Sequence, residues 1–424
     1  WQAATAGGSV KEVPLGLSEV VWSGLAAVRR VVERVVAARC GGHPAPPDNG
    51  YRSNRLPCPP LRALTMSDLD ELIRDVRRNC DISDARHAGV FSVCGLALRL
   101  RDLFKWERGL APWEEGDPAE VLDWIGVREE YWETLAGCDY AALRLDGRSW
   151  EPFDTAGVNS VLSARGLYYG AGYGRGLKPT FFLATVEDRR EIEGCSVYVL
   201  GRERARDLQT LPALSQGRTI LLRRESAHRF LWDQISYVAP SSRRALHAAM
   251  HACGITDCRP SALRNDLHQL LRVQEALHLR HEIGEIHETE FGRGLWQEII
   301  AAFPLTRVEL LARRVKDLLA DTHPSGTLRW VLRKRSLAGL ALHVALADRV
   351  TRALFPGLTA CLESVLLTGD WAAVSQAADA AHGAAARHAA AISEIFCDGK
   401  RRNDLAGVEA RIERRLGGCL APEN

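Results

Sequence analysis

Apolar residues recur every three or four positions along most of this chain, the period of helices that bury one face. From Met66 to about Ala136, Leu69, Leu72, Ile73 and Val76 share one face, and Val90, Cys94, Ala97 and Leu100 form a second stripe. Asp117–Pro118 reads as an N-cap with proline at the first helical position, opening a helix whose Trp124, Tyr131 and Trp132 are packing residues. Between about Tyr140 and Arg224 the period changes. Strands are predicted at Ala142–Leu145, Thr180–Val186, Cys195–Leu200 and Thr219–Leu222, turns at Asp146–Gly147 and Glu193–Gly194, and a short helix at Thr155–Ala164. Helical periods return at Glu225. They predict helices over Ser226–Val238, Ser242–Cys253, Ser261–Phe291, Gly294–Ala320, Leu328–Leu354, Leu358–Leu367 and Trp371–Phe396, with Pro304, Pro324 and Pro356 as boundaries or kinks. The expected fold class is α+β, mainly α: a helical region over 66–139, a small α/β region over 140–225, a helical bundle over 226–397 and a frayed tail over 398–424.

Residues 1–65 read differently. They hold seven of the 18 prolines, and the first methionine of the chain is Met66, followed by SDLDELIRDV with Ser67 or Asp68 available as N-cap. We expect 1–65 to be a translated upstream region or a disordered extension. An amphipathic helix over Glu19–Ala38 with a Pro-rich linker is the competing expectation.

The chain has 424 residues, 55 basic and 53 acidic, so its net charge of +2 gives no global reason to bind nucleic acid. Only six of the basic residues are Lys, a skew that points to a GC-rich genome. Eleven scattered cysteines without a CxxC pair argue against a disulfide framework and for a reducing cytoplasm. No uncharged stretch reaches the roughly 18–20 residues needed to span a bilayer, and charges interrupt any signal-peptide core.

Three segments carry candidate chemistry. YYGAGYGRGLKP (Tyr168–Pro179) could cradle an anion with backbone N–H groups, helped by Arg175 and Lys178, but the following PTFFLATV reads as a strand, so a glycine-rich hairpin competes. HAAMHACGITDC places His247, His251, Cys253 and Cys258 as a conceivable zinc set with no recognised module spacing. The strongest cluster is QEALHLRHEIGEIHETE. At about 100° per residue, Glu275, His278, His281, Glu282 and Glu285 share an arc of roughly 120°, while Ala276, Leu279, Ile283 and Ile286 make a separate apolar arc. A solvated helix usually interleaves Lys or Arg among such acids, and here Arg272 and Arg280 lie elsewhere. The carboxylates therefore call for a cation from outside the helix, either an Arg or a metal. His343 and His388 sit on apolar faces of later helices and are expected to point inward. The metal set is therefore His281, Glu282, Glu285, His343 and His388, with iron, manganese or zinc as the fitting ions. No GxSxG, HExxH or kinase signature occurs.

ISDARHAGVFSVCGLALRLRDLFKWERGL, GRSWEPFD, LYYGAGYGRGLKPTFFLA, GRERARDL, GRTILLRRES and RHEIGE together resemble a family of uncharacterised bacterial proteins classed as a domain of unknown function, from about Met66 to Phe396. That resemblance implies no catalytic residues. The chain is also loosely similar to haem-oxygenase-like di-iron helical proteins, which space their ligands differently; Ser375 stands where a last-helix histidine is wanted. Three functions remain open: a metal-binding, redox-linked enzyme; an assembly or adaptor protein with a protein partner or a second copy of itself; and an anion or nucleotide binder through the Gly/Arg-rich insert. No membrane or nucleic-acid partner is expected.

Overall fold

The computed structural model describes residues 66–420 other than Cys258, so the expected extension over 1–65 lies outside the described residues. The N-terminal part starts with α1 (Met66–His87), α2 (Val93–Glu107) and α3 (Pro118–Leu135), followed by the hairpin β1 (Leu143–Leu145) and β2 (Arg148–Trp150) and the short α4 (Thr155–Leu162). As the sequence predicts, the Asp117 side chain caps α3 by accepting from the N–H groups of Ala119 and Glu120. A five-stranded sheet comes next: β3 (Leu167–Tyr173), β4 (Pro179–Ile192), β5 (Cys195–Arg206), β6 (Ala213–Gln216) and β7 (Thr219–Arg223). Its order is β3-β4-β5-β7-β6, and β5–β7 is the parallel pair in an otherwise antiparallel sheet. Leu72, Val76 and Cys80 of α1 join Tyr169, Ala171, Phe181 and Leu183 in one core cluster.

The remaining chain is helical: α5 (Arg224–Ser236), α6 (Arg243–Ala252), α7 (Pro260–His287), α8 (Arg293–Ala302), α9 (Arg307–Thr322), α10 (Thr327–Lys334), α11 (Leu337–Leu346), α12 (Arg349–Leu354), α13 (Leu358–Thr368), α14 (Trp371–Arg402) and α15 (Leu405–Leu416). The chain is thus mainly α around a small central sheet. Two long expected helices are broken. The segment from 294 to 320 divides at Phe303–Thr306, where Thr306 caps α9. The segment from 328 to 354 divides into three, because Arg335 takes a left-handed conformation (φ 45°) and Ser336 and Asp348 cap new helices. The tail expected to fray after Asp398 is also corrected: α14 runs to Arg402, and α15 buries Val408, Ile412 and Leu416 against the bundle. Its period had been masked by charged residues between those three. Among the described residues no helix is long and apolar enough to cross a membrane.

Helix α7 joins the two parts. Its Leu279, Ile283 and Ile286 pack on Cys195, Val197, Val199, Ile220 and Leu222 of the sheet. Its Leu263, Leu267, Leu270 and Leu277 enter the core of the bundle instead. A helix with two buried apolar faces has only narrow polar strips left between them, and the Glu/His cluster occupies one of those strips.

Candidate functional site

His281, Glu282 and Glu285 present ligand atoms within 4.8 Å of one another. Helix α9 supplies the groups that face them. Its approach is set by Gly284, where a Cβ would lie 2.1 Å from the Ala320 carbonyl oxygen, so only glycine permits this crossing. Asp321, the next residue on α9, receives the His281 ring: Nδ1 lies 2.9 Å from its Oδ1. One turn back, Asp317 lies 4.0 Å from His281 Nε2, and Lys316 Nζ lies 2.5 Å from Glu285 Oε1.

These neighbours move the titrations apart. Burial is the largest influence on His281 and lowers its proton affinity, but the charge and hydrogen bond of Asp321, with the charges of Asp317 and Glu282, together override it and hold the imidazole well above its usual pKa. Burial likewise works against the Asp321 carboxylate, yet His281 and His343 keep its pKa well below the usual range. Glu282 is 6% exposed, and burial with the adjacent Glu285 charge pushes it up to about 7. Glu285 goes the other way: burial raises it, but the charge and hydrogen bond of Lys316 with the His281 charge bring it down to about 2. His278, one turn earlier, is held near 4 by burial and the charge of His281, and its Nε2 has no hydrogen-bond partner.

The cation demanded by the acidic arc thus comes from outside the helix. Lys316 serves Glu285, while Arg224 and Arg190, at 2.8 and 3.4 Å, serve Glu275. His343 on α11 reaches the same neighbourhood, its Nε2 lying 3.9 Å from Asp321 Oδ2, and so approaches the cluster through a shared carboxylate. His388 is not brought to it. Its charged neighbours are Arg387 and Arg415, which places it toward α15. Helix α14 turns His382 toward α9 instead, with Nδ1 2.9 Å from Thr322 Oγ1. Six residues separate the two histidines, about 240° of helical rotation. Asp321, Asp317 and Lys316 escaped sequence reasoning because their relevance depends on which face of α9 meets α7. Gly284, inside the acidic run, was the one local sign of that crossing.

The other expected sites fare differently. Lys178 is fully buried, its Nζ 2.9 Å from Asp84, 3.3 Å from Asp207 and 3.0 Å from Ser83 Oγ, so the anion role expected of it is corrected: its charge is engaged inside the protein. Arg175 is exposed. The glycine segment is most of strand β3 followed by the β3–β4 connection, where Gly176 (φ 64°) donates its N–H to the Glu309 carboxylate at 2.9 Å, so a protein side chain takes the place expected for an external anion. His247 and His251 are exposed, and Cys258 lies outside the described residues.

Residues 71–223 match the N-terminal domain, and residues 228–415 the C-terminal domain, of a family of unknown function, DUF6866. The chain belongs to the DUF6866 family. The two DUF6866 matches meet between 223 and 228, at the start of α5. No curated protein and no solved structure matches the chain, so the likeness to haem-oxygenase-like proteins has no counterpart among these comparisons.

Proposed function

We propose that this DUF6866 protein binds a divalent transition metal through His281, Glu282 and Glu285, and that the bound ion serves a redox or hydrolytic reaction. The observation that carries this reading is the His281–Asp321 hydrogen bond at 2.9 Å. A carboxylate on Nδ1 fixes the ring's orientation and leaves Nε2 as the ligand nitrogen, the arrangement that supports metal-bound histidines generally. Three protein ligands of mixed N and O type suit iron, manganese or zinc, and leave coordination positions for water or substrate. His343 supports Asp321 from behind. Metal binding must remove a proton from His281 and from Glu282, so affinity rises with pH.

A second reading has its own observation. Asp321 bridges His281 and His343, and Lys316 already neutralises Glu285, so the cluster also functions as a polar clasp between α7, α9 and α11. Metal content separates the two. The protein, purified without chelator, should carry close to one iron, manganese or zinc per chain, and His281→Ala should abolish it. Asp321→Asn should weaken binding by about 10–100-fold, the usual cost of losing such a support. Metal-free protein that gains no thermal stability from any of the three ions leaves the clasp as the function of these residues.

A further inference from the structure

A second polar region lies away from His281, where α2, β5 and α5 meet. It is an open cleft of about 920 Å³, walled by residues 106–113, 201–204 and the first two turns of α5. Its charges are not balanced locally. Arg224 pairs with Glu187 and Glu275, and Arg108 with Glu120. Glu203, the most buried acid of the wall, is engaged at 2.7 Å by Arg223 behind it. Among the described residues, Arg77, Arg202, Arg204 and Arg229 have no ion-pair partner while all four line the cleft.

Burial makes this imbalance costly. Arg229 is 7% exposed and Arg206, just behind the wall, 3% exposed. Arg206 also lies 4.0 Å from the Glu203 carboxylate, whereas Arg229 has no ion pair among the described residues. Each guanidinium makes one hydrogen bond, to the carbonyl oxygens of Leu110 and Asp102 respectively, and leaves Nε and one terminal nitrogen without a hydrogen-bond partner. Arg204 Nε is likewise without one. Burial and the neighbouring Arg206 charge lower the pKa of Arg229 by more than the nearby Glu225, Asp102 and Glu203 charges raise it, and burial with Arg229 holds His228 neutral, near 4. Trp106 fixes two of these cations, with the Arg77 and Arg206 guanidiniums 5.4 and 5.3 Å from its ring centre. Leu110, Ala111, Pro112 and Trp113 form an apolar wall beside them.

We propose that this cleft binds a small phosphate-bearing molecule of nucleotide size, its phosphates against Arg77, Arg204 and Arg229 and its apolar or ring portion against Leu110, Pro112 and Trp113. Guanidinium forks match phosphate oxygens in geometry as well as charge, and the low-dielectric wall strengthens the field of the buried pair. The volume lies within the range of small-molecule sites. The proposal is independent of the metal reading.

Titrating the full chain with ADP, pyrophosphate, adenosine and a single-stranded oligonucleotide, followed by tryptophan fluorescence and calorimetry, tests it. ADP should bind saturably and weaken with salt, with adenosine and pyrophosphate each about tenfold weaker or more, since each lacks one half of the recognition. Arg229→Gln disturbs a buried charge and stability with it. The decisive variants are therefore Arg77→Gln and Arg204→Gln, which should weaken ADP by about tenfold while leaving the unfolding midpoint close to the parent. His281→Ala should leave ADP binding unchanged. Absence of ADP binding at millimolar concentration, equal binding of adenosine or pyrophosphate, tighter binding of the oligonucleotide, or indifference to both arginine substitutions overturns the proposal.

Discussion

Two of the ionic clusters among the described residues are built from similar groups, and burial separates their uses. In the first, Lys178 joins Asp84 and Asp207, with side chains no more than 1% exposed. Every carboxylate there also accepts backbone N–H groups: Leu208 gives its proton to Asp84, while Phe181 and Gln209 donate to Asp207. This cluster ties α1, the β3–β4 connection and the end of β5 together and presents nothing to solvent. In the second, His281 and Glu285 keep 23% and 18% of their side-chain exposure. Buried apolar faces on either side hold the α7 cluster in place, so its polar groups need not be closed off. A saturated, enclosed network specifies a fold, whereas a half-open one can exchange partners.

The largest effect expected from this contrast follows removal of Lys178. Lys178→Met leaves two buried carboxylates facing each other without a counter-charge, and should cost about 3–5 kcal/mol in urea unfolding. A loss below about 1 kcal/mol would mean that the cluster is wetter than its burial implies, and the contrast would fail.

Gly284→Ala acts first on the other cluster. The added methyl meets the Ala320 carbonyl oxygen at 2.1 Å, so α9 must move away from α7. About 1–3 kcal/mol of stability should be lost, and metal affinity with it, because Asp321 withdraws from His281. The carboxylates of the Lys178 network come from α1 and the end of β5 rather than from α9, so that network should be affected less, although α9 also holds the β3–β4 connection through Glu309. Unchanged stability would show that the two helices slide freely, which the close crossing forbids.

What could be read in advance divides along the same line. The acidic arc of α7 and its apolar arc are both periodic over one helix, so local sequence was enough to separate them. The need for an outside cation was also legible, because Arg272 and Arg280 lie off the arc. Its identity was not: Lys316 lies 31 residues away, and only the crossing at Gly284 selects it over Arg313 or Arg314. Lys178 was misread for a related reason. A lysine among glycines suggests an accessible loop, but its counter-charges come from α1 and from the end of β5, at separations no local pattern reveals. The helix breaks at Arg335 and Asp348 were hidden because apolar residues resume soon after each short polar run, while the change of direction depends on backbone angle and capping.

The pH response distinguishes the clusters more gently. Burial raises Asp84, Lys178 offsets only part of that, and the Asp207 charge adds to it, giving a pKa of about 7. The folded state thus binds this proton more tightly than the unfolded chain does. The stability it contributes is complete below about pH 4 and is lost as pH rises through 7. Glu285 and Asp321, depressed in the folded state, behave oppositely: their contribution is present above about pH 4 and lost on acidification. Urea midpoints for Asp84→Asn should therefore decline less than the parent's between about pH 4 and 7.5. An unaltered slope would place the Asp84 titration outside that window.

The smallest effect sharpens the comparison most, because it pairs a stability change with a binding change. Lys316 resembles Lys178 in holding a carboxylate, but its side chain is 17% exposed and it also lies 4.0 Å from the Trp296 ring centre. Lys316→Met keeps the aliphatic stem on that ring and removes only the charge, so the cost should be about 1 kcal/mol or less, the scale of an ion pair that water partly screens. The same substitution frees Glu285. If the lysine and a metal compete for that carboxylate, the variant should bind iron, manganese or zinc more tightly than the parent, while Lys178→Met gains no such affinity. Calorimetric titration at one pH reads the difference directly. Weaker binding in Lys316→Met would mean that the ammonium organises Glu285 for its ligands, and competition at this carboxylate would have to be abandoned.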